Sequence, residues 1–275
     1  GTDVRLAHRL RALERVAGEQ QGLDGSAHLA KLAKSDGWQL QAMLNNDIVG
    51  GDTTPGDTLA DKTSVRVFSE GIPSDATPQQ ISLIRSEGAE SDSPARELAR
   101  VVADVGATYF QPTAERPVST PGRLHSQHLR LVPAFHPVLI FRRDRFLRGG
   151  DHISFSLEGF AAVRFTEWRE NCNHQHQNVR VENGVQYGEL PQFVDFNYVA
   201  NVARLNAATL ATLASAPGEP ANVRILTTAL DNNTELAWSA PAGMPAGATY
   251  EVVWRDTAAP NWTTSVSAGA ATSIT

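Results

Sequence analysis

The hydrophobic pattern of the chain changes at one place, and this change constrains the fold more than any other feature. Before residues 214–220, strand-sized apolar runs alternate with longer segments whose apolar residues recur every three or four positions, as in helices. After this Ala-, Ser-, Pro- and Gly-containing segment, short alternating strands are separated by turn residues. We therefore predict an α/β domain with a mostly parallel sheet flanked by helices, followed by an all-β module.

The same pattern predicts the boundaries of these parts. The α/β domain covers residues 1–214, a linker covers 215–221 and the β module covers 222–275. In the first domain the predicted helices lie over residues 4–16, 26–34, 94–109 and 193–213. The predicted strands there lie over residues 38–44, 65–68, 137–141 and 161–165. Residues 111–136 show no period and predict an irregular excursion, and we expect the chain to be truncated at both ends.

Charge and cysteine content exclude several classes of function. Lys and Arg total 24 against 30 Asp and Glu, and this net charge of −6 argues against nucleic acid as a partner. No apolar run approaches the ~20 residues that a membrane-spanning helix needs, so no membrane span is expected. Because Cys172 is the sole cysteine, an internal disulfide is impossible, and any metal must be held by His, Asp or Glu.

Polar residues that directly follow strands are the candidates for function, because open α/β sheets bind ligands beyond the carboxyl ends of their strands. Such residues occur at Asp47, in the turn 149–152 and in the segment 167–178, and a glycine-rich turn spans 18–26. Each also has an ordinary structural interpretation: Asp47 as a turn residue, Asp151 as a helix cap and the His-x-His pair as part of a solvated loop.

Four segments together resemble a known family. They are Gly18-Glu-Gln-Gln-Gly-Leu-x-Gly-Ser26, Leu44-Asn-Asn-Asp-Ile-Val-Gly50, Gly150-Asp-His-x-x-Phe155, and Glu167 with His174 downstream. In this order they resemble metallopeptidase family 28, the co-catalytic zinc aminopeptidases and their carboxypeptidase relatives. The resemblance covers about residues 1–214, while residues 217–275 resemble a fibronectin type III module. It implies a zinc-exopeptidase-like fold, two zinc ions and peptide substrates.

The resemblance also implies roles for individual residues. Glu19 matches the general base, while Asp47 and His174 match zinc ligands. Gln20 stands where the family has a ligand glutamate, and His152 and His176 are alternative ligands. Asp151 and His152 match residues that surround the ligands, as does Asn178, which stands where an aspartate usually follows the ligand histidine. The remaining His and bridging Asp ligands of the family are expected upstream of Gly1.

Three functions remain open at this point. The first is a zinc-dependent aminopeptidase that hydrolyses N-terminal residues of peptides, in which Glu19 is the general base. The second is a catalytically inactive peptidase-like binding or scaffold domain, which Gln20, Asn178 and the missing upstream ligands favour. A third, a secreted polysaccharide-associated hydrolase, lacks paired carboxylates that we can place.

Localisation and partners follow by analogy alone. Peptidases of this family that are joined to fibronectin-like modules are secreted or periplasmic, and we expect the same here. The β module is then expected to contact a cell surface or matrix. The aromatic and basic segment 141–148 admits two interpretations, an arginine site for a peptide carboxylate or a solvated loop with two packed phenylalanines.

Overall fold

The computed structural model describes residues 18–73, 76–115, 130–132, 134–146, 148–227 and 232–275. The chain forms two compact units, one within residues 12–210 and one that contains residues 211–275. The helix predicted over residues 4–16 lies outside the described residues, as does most of the segment 111–136. No described helix has the length and apolar character needed to cross a membrane.

The described helices are α1 (Asp24–Ser35), α2 (Pro78–Ser86), α3 (Pro94–Tyr109), α4 (His152–Leu157) and α5 (Phe196–Ser215). The described strands of the first unit are β1 (Met43–Asn46), β2 (Ser64–Ser69), β3 (Thr113–Glu115), β4 (Arg130–Val132), β5 (His136–Ile140), β6 (Ala162–Glu167), β7 (Arg180–Glu182) and β8 (Val185–Tyr187). Short 3-10 turns lie at Glu19–Gln21, Ala89–Ser91, Cys172–His174 and Pro191–Phe193. The strand predicted over 38–44 is shorter and lies later, and β3 and β4 form a ladder within the segment predicted to be irregular.

Helix α3 shows why the sequence specifies these elements. Ser93 caps its N-terminus, because the Ser93 hydroxyl accepts from the Arg96 N–H at 3.2 Å, and Pro94 fits the first turn. Its buried face includes Leu98 and Val102. A side chain at Gly106 would lie 2.5 Å from the Pro137 ring, so glycine permits the helix to pack closely on β5. The prediction of a helix over 94–109 is confirmed.

The central sheet has the strand order β1-β6-β2-β5. The β1–β6 and β2–β5 pairs are parallel, whereas β2 and β6 are antiparallel. The α/β class is therefore confirmed, but the sheet is mixed rather than uniformly parallel. Strand β6 is buried at every position, including the polar residues Arg164, Thr166 and Glu167. The short pattern that predicts this strand does not distinguish parallel from antiparallel pairing.

The second unit contains β9 (Ala221–Leu226), β10 (Glu235–Ser239), β11 (Tyr250–Trp254), β12 (Thr264–Gly269) and β13 (Ser273–Ile274). They form a β13-β10-β9 sheet and a β11-β12 hairpin, both antiparallel. The Trp238 ring contacts the Tyr250 ring edge-on, with centroids 5.3 Å apart. Strands β12 and β13 were not predicted from the sequence.

Candidate active site

Glu19 lies in a tight turn that glycines make possible. Gly18 and Gly22 adopt φ values of +78° and +101°, which side chains disfavour. The Glu19 carbonyl accepts from the N–H groups of Gly22 and Leu23, at 3.3 and 3.1 Å. Leu23, with φ +66°, then leads directly into α1. The backbone therefore fixes Glu19 at the start of this helix.

Asp47 is fixed at the carboxyl ends of two parallel strands, β1 and β6. Its N–H donates to the Phe165 carbonyl, and its carbonyl accepts from the Thr166 hydroxyl, both at 3.1 Å. The next residue, Ile48, has φ +58°, and its carbonyl accepts from the Glu167 N–H at 2.8 Å. This sharp change of direction ends the strand and leaves the Asp47 side chain at the sheet edge, where we expected a ligand-binding residue.

Glu19 and Asp47 line one small polar cavity of about 200 Å³, which we call the polar cavity. Its remaining lining residues are Ile48, Arg145, Arg148, Gly149 and His176. Burial raises the pKa of Glu19, and the negative charges of Asp47 and Asp151 raise it further. Burial also raises the pKa of Asp47, although the charge of Arg164 opposes this effect. Such a carboxyl group binds a proton more readily than one in water, a property expected of a general base.

A buried ion network connects to the polar cavity through Asp47. Arg164 is fully buried, and its Nη2 lies 2.9 Å from Asp47 Oδ2. Its Nη1 donates to Asp144 Oδ2 at 2.6 Å and to the Gly149 carbonyl at 2.8 Å. Burial alone would raise the pKa of Asp144, but the charge and hydrogen bond of Arg164 lower it. Arg164 therefore compensates two carboxylates and anchors Asp47.

The turn before α4 brings Gly150 close to Asp47 at the edge of the sheet. A side chain at Gly150 would lie 3.0 Å from Asn45 Oδ1 and 3.3 Å from Asp47 Oδ2, so glycine allows this turn to approach the sheet edge. His152 is fully buried, its Nε2 lies 2.8 Å from the Arg143 carbonyl, and burial lowers its pKa. The neutral imidazole therefore donates from Nε2, which fixes its tautomer.

Asn178 and His174 do not line the polar cavity. Asn178 is exposed before β7, where its carbonyl accepts from Arg180. His174 lines an adjoining pocket of about 630 Å³, which we call the apolar pocket, and which shares Asp47, Ile48 and His176 with the polar cavity. Asp47 thus belongs to both spaces.

His174 is held rigidly in the wall of the apolar pocket. Its Nδ1 bonds to Asp52 Oδ2, and its ring stacks on Phe193 with centroids 3.5 Å apart. Because a carboxylate only accepts, Nδ1 of His174 carries a proton and donates it to Asp52. Burial opposes ionisation of Asp52, but hydrogen bonds from Thr54 and His174 outweigh it and lower the Asp52 pKa. This carboxylate–histidine pair has the form that orients metal-binding histidines.

The described side chains do not supply enough ligands for a zinc ion. Zinc in proteins takes about four ligands, of which at least three come from side chains. Within the part of the chain that the structure describes, no group of three His, Cys, Asp or Glu side chains is arranged to hold a metal ion. Asp47 is, in addition, engaged by Arg164. These residues alone therefore do not fit a zinc site, and we derive no reaction step through zinc.

The structure brings together part of the predicted site. Glu19 and Asp47 share the polar cavity, and the charge of Asp151 acts on both. His174 does not line this cavity but lines the adjoining pocket, to which Asp47 also belongs. Gln20 lies beside Glu19 in the same turn. Neither Arg164 nor Asp52 was among the residues predicted from the sequence. The unusual arginine in an otherwise apolar strand was a usable signal for Arg164, while Asp52 had none.

Comparisons with known proteins find relatives that are named probable zinc metalloproteases. No protein-family model matches the chain. A probable zinc metalloprotease of Leptosphaeria maculans is 43% identical over 264 residues, which are 96% of this chain and 56% of the relative. A probable zinc metalloprotease of Pyrenophora teres f. teres is 42% identical over 255 residues, which are 90% of this chain and 47% of the relative. One of Phaeosphaeria nodorum is 38% identical over 253 residues, which are 92% of this chain and 46% of the relative. The chain thus spans about half the length of the curated relatives that it matches.

Proposed function

We propose that this chain provides part of the active site of a zinc-dependent metallopeptidase, and that the protein is an aminopeptidase of the family 28 type. One observation carries the proposal: Glu19 and Asp47, 28 positions apart in sequence, line the same polar cavity beside His176. The names of the fungal relatives support the class of enzyme. Peptides are the substrates that this class implies.

In this proposal Glu19 is the general base. Its raised pKa and its position in the polar cavity suit it to accept a proton from a nucleophilic water and return it to the departing amine. Arg145 and Arg148 line the same cavity and could hold a carboxylate or carbonyl oxygen of a peptide. Arg145 also pairs with Glu170, which restricts its orientation.

The metal assignment requires donors from outside the described residues. We assign Asp47 and His174 as zinc ligands, with Gln20 in the place of a third, and two ions in the complete site. Because the described side chains are too few for zinc, the proposal depends on the remaining length of the full-length protein for the other ligands. The rigid His174–Asp52 pair is the observation that favours His174 over His152.

A second candidate is a peptidase-like domain without activity, which binds peptides or serves as a scaffold. The ion pair between Arg164 and Asp47 favours it, because the cation already compensates the carboxylate that a metal would use. For either candidate we propose a secreted or periplasmic protein whose residues 222–275 are a fibronectin type III-like module for contact with a surface or matrix.

The test uses the full-length protein and aminoacyl p-nitroanilides. We expect hydrolysis by the wild type and a loss of two or more orders of magnitude in kcat for Glu19→Gln, because removal of a general base costs about 10²–10⁴-fold. Glu87→Gln, at an exposed position after α2, is the matched control and keeps full activity. Zinc content measured on all three proteins should be equal.

Three results decide between the candidates. Activity with bound zinc supports the peptidase, and activity retained by Glu19→Gln refutes the assignment of the base. Absence of hydrolysis by a zinc-containing or zinc-free wild type, with peptide binding detected by calorimetry, supports the inactive binding domain.

A further inference from the structure

The apolar pocket is lined by apolar side chains and by four acidic residues, of which Glu167 is the most buried. Its volume of about 630 Å³ lies in the range of small-molecule sites. Six of its fifteen lining residues are apolar: Ile48, Leu190, Pro191, Phe193, Val194 and Phe196. Glu167, which is only 4% exposed, contributes an acidic group to this wall. Such a wall suits a ligand with a long aliphatic part and a polar end.

Backbone geometry fixes the Glu167 carboxyl group. Its Oε2 accepts from the N–H groups of Gly51 and Asp52, the latter at 3.2 Å. A side chain at Gly51 would lie 2.6 Å from the Tyr198 ring, and the Tyr198 hydroxyl is itself held by the Ser64 carbonyl at 2.8 Å. The strand end, the Gly50-Gly51 turn and α5 thus position this carboxyl group, which is not free to turn toward solvent.

The other carboxylates of the pocket are already engaged or lie at its rim. Asp52 bonds to His174 and Thr54, and Asp47 pairs with Arg164. Glu189 is exposed and accepts from the His176 N–H. Among the described residues, no Lys, Arg or His side chain forms an ion pair with Glu167. A buried carboxyl group of this kind is an attractive partner for a cation brought by a ligand, since a buried charge needs compensation.

We infer that the apolar pocket accepts the side chain of a basic N-terminal residue, lysine or arginine, with its aliphatic stem along the apolar walls and its cationic head on Glu167. The inference rests on the proposed function, because it assigns the side-chain specificity of that same site. Burial raises the pKa of Glu167 to about 7, so near neutral pH a cationic group in the pocket gains by ionising it. An apolar residue gains nothing from the ionised form.

The experiment compares two ligands that differ only in the terminal amine. L-Lysinamide and L-norleucinamide share the α-amine, the amide and the four-carbon stem. Binding of each to the full-length Glu19→Gln protein is measured by isothermal titration calorimetry, since this variant does not hydrolyse them. We expect lysinamide to bind about ten- to one-hundred-fold more tightly, the range of a hydrogen bond to a charged group.

Variants of Glu167 then assign the preference to one side chain. Adding Glu167→Gln should reduce the lysine preference to less than threefold, while adding Glu87→Gln should leave it unchanged. The ligand comparison on unaltered Glu167 tests the inference even if the Glu167→Gln protein does not fold. Equal affinities, undetectable binding of both ligands, or a preference that survives Glu167→Gln in folded protein would each overturn it.

Turnover separates this inference from the proposed function. Lysyl and norleucyl p-nitroanilides are compared with the wild-type enzyme in parallel. Hydrolysis of both at equal kcat/KM upholds the peptidase and refutes the basic pocket. Selective lysinamide binding without hydrolysis of either substrate upholds the pocket and refutes the peptidase.

Discussion

Replacing Glu167 by glutamine should change how the stability of the protein depends on pH. The Glu167 carboxyl is buried, and burial raises its pKa from 4.5 to about 7, although hydrogen bonds from Gly51 and Asp52 oppose the effect. The folded state therefore holds a proton on Glu167 in a pH range where the unfolded state has lost it. Stability from this group is fully present below about pH 4.5 and falls as pH rises to about 7.

The magnitude follows from the displaced pKa. At about 1.4 kcal/mol per tenfold change in proton affinity, a pKa moved from 4.5 to about 7 corresponds to about 3 kcal/mol of lost stability above neutral pH. Glutamine cannot ionise, and its carbonyl oxygen can still accept from Gly51 and Asp52. The free-energy difference between Glu167→Gln and wild type should therefore shift by about 3 kcal/mol in favour of the variant from about pH 4.5 to 8.

Urea unfolding of the full-length protein at several pH values measures this difference. Comparing variant with wild type cancels the contributions of other titrating groups, such as His152 and Asp144. The exposed control Glu87→Gln should show a difference that does not vary with pH. A difference for Glu167→Gln that stays constant within about 1 kcal/mol would refute the argument that burial controls this carboxyl group.

Two further substitutions test the architecture around the site, both by urea unfolding. Arg164→Leu should destabilise the protein by about 3–5 kcal/mol, because it leaves the carboxylates of Asp47 and Asp144 without their buried cation; a loss below about 1 kcal/mol would contradict the network. Gly51→Ala should cost at least about 1–3 kcal/mol, because the new Cβ meets the Tyr198 ring at 2.6 Å and φ is +64°. Gly37→Ala, with a similar φ of +66° but open space around it, is the matched control and should cost less.

Local sequence patterns predicted most of the helices and strands near the site. The capped, three-residue periodicity of 94–109 predicted α3 to the residue, and apolar runs located β2, β5 and β6 to within two residues. The glycines at 18, 22 and 150 indicated tight turns, and the polar residues after strands indicated where a site would form. These features depend on neighbours within a few positions, so a sequence pattern is sufficient to reveal them.

Which of these residues lie close together depends on contacts between elements that are distant in the sequence. The antiparallel pairing of β2 with β6, the placing of Glu19 beside Asp47 and the separation of His174 from that cavity all arise from contacts far apart in sequence. Neither the ion pair between Arg164 and Asp47 nor the raised pKa of Glu167 has a local signature in the sequence. Both arise because packed helices and strands exclude water and bring charged groups close together. The chain acquires these properties only when it folds.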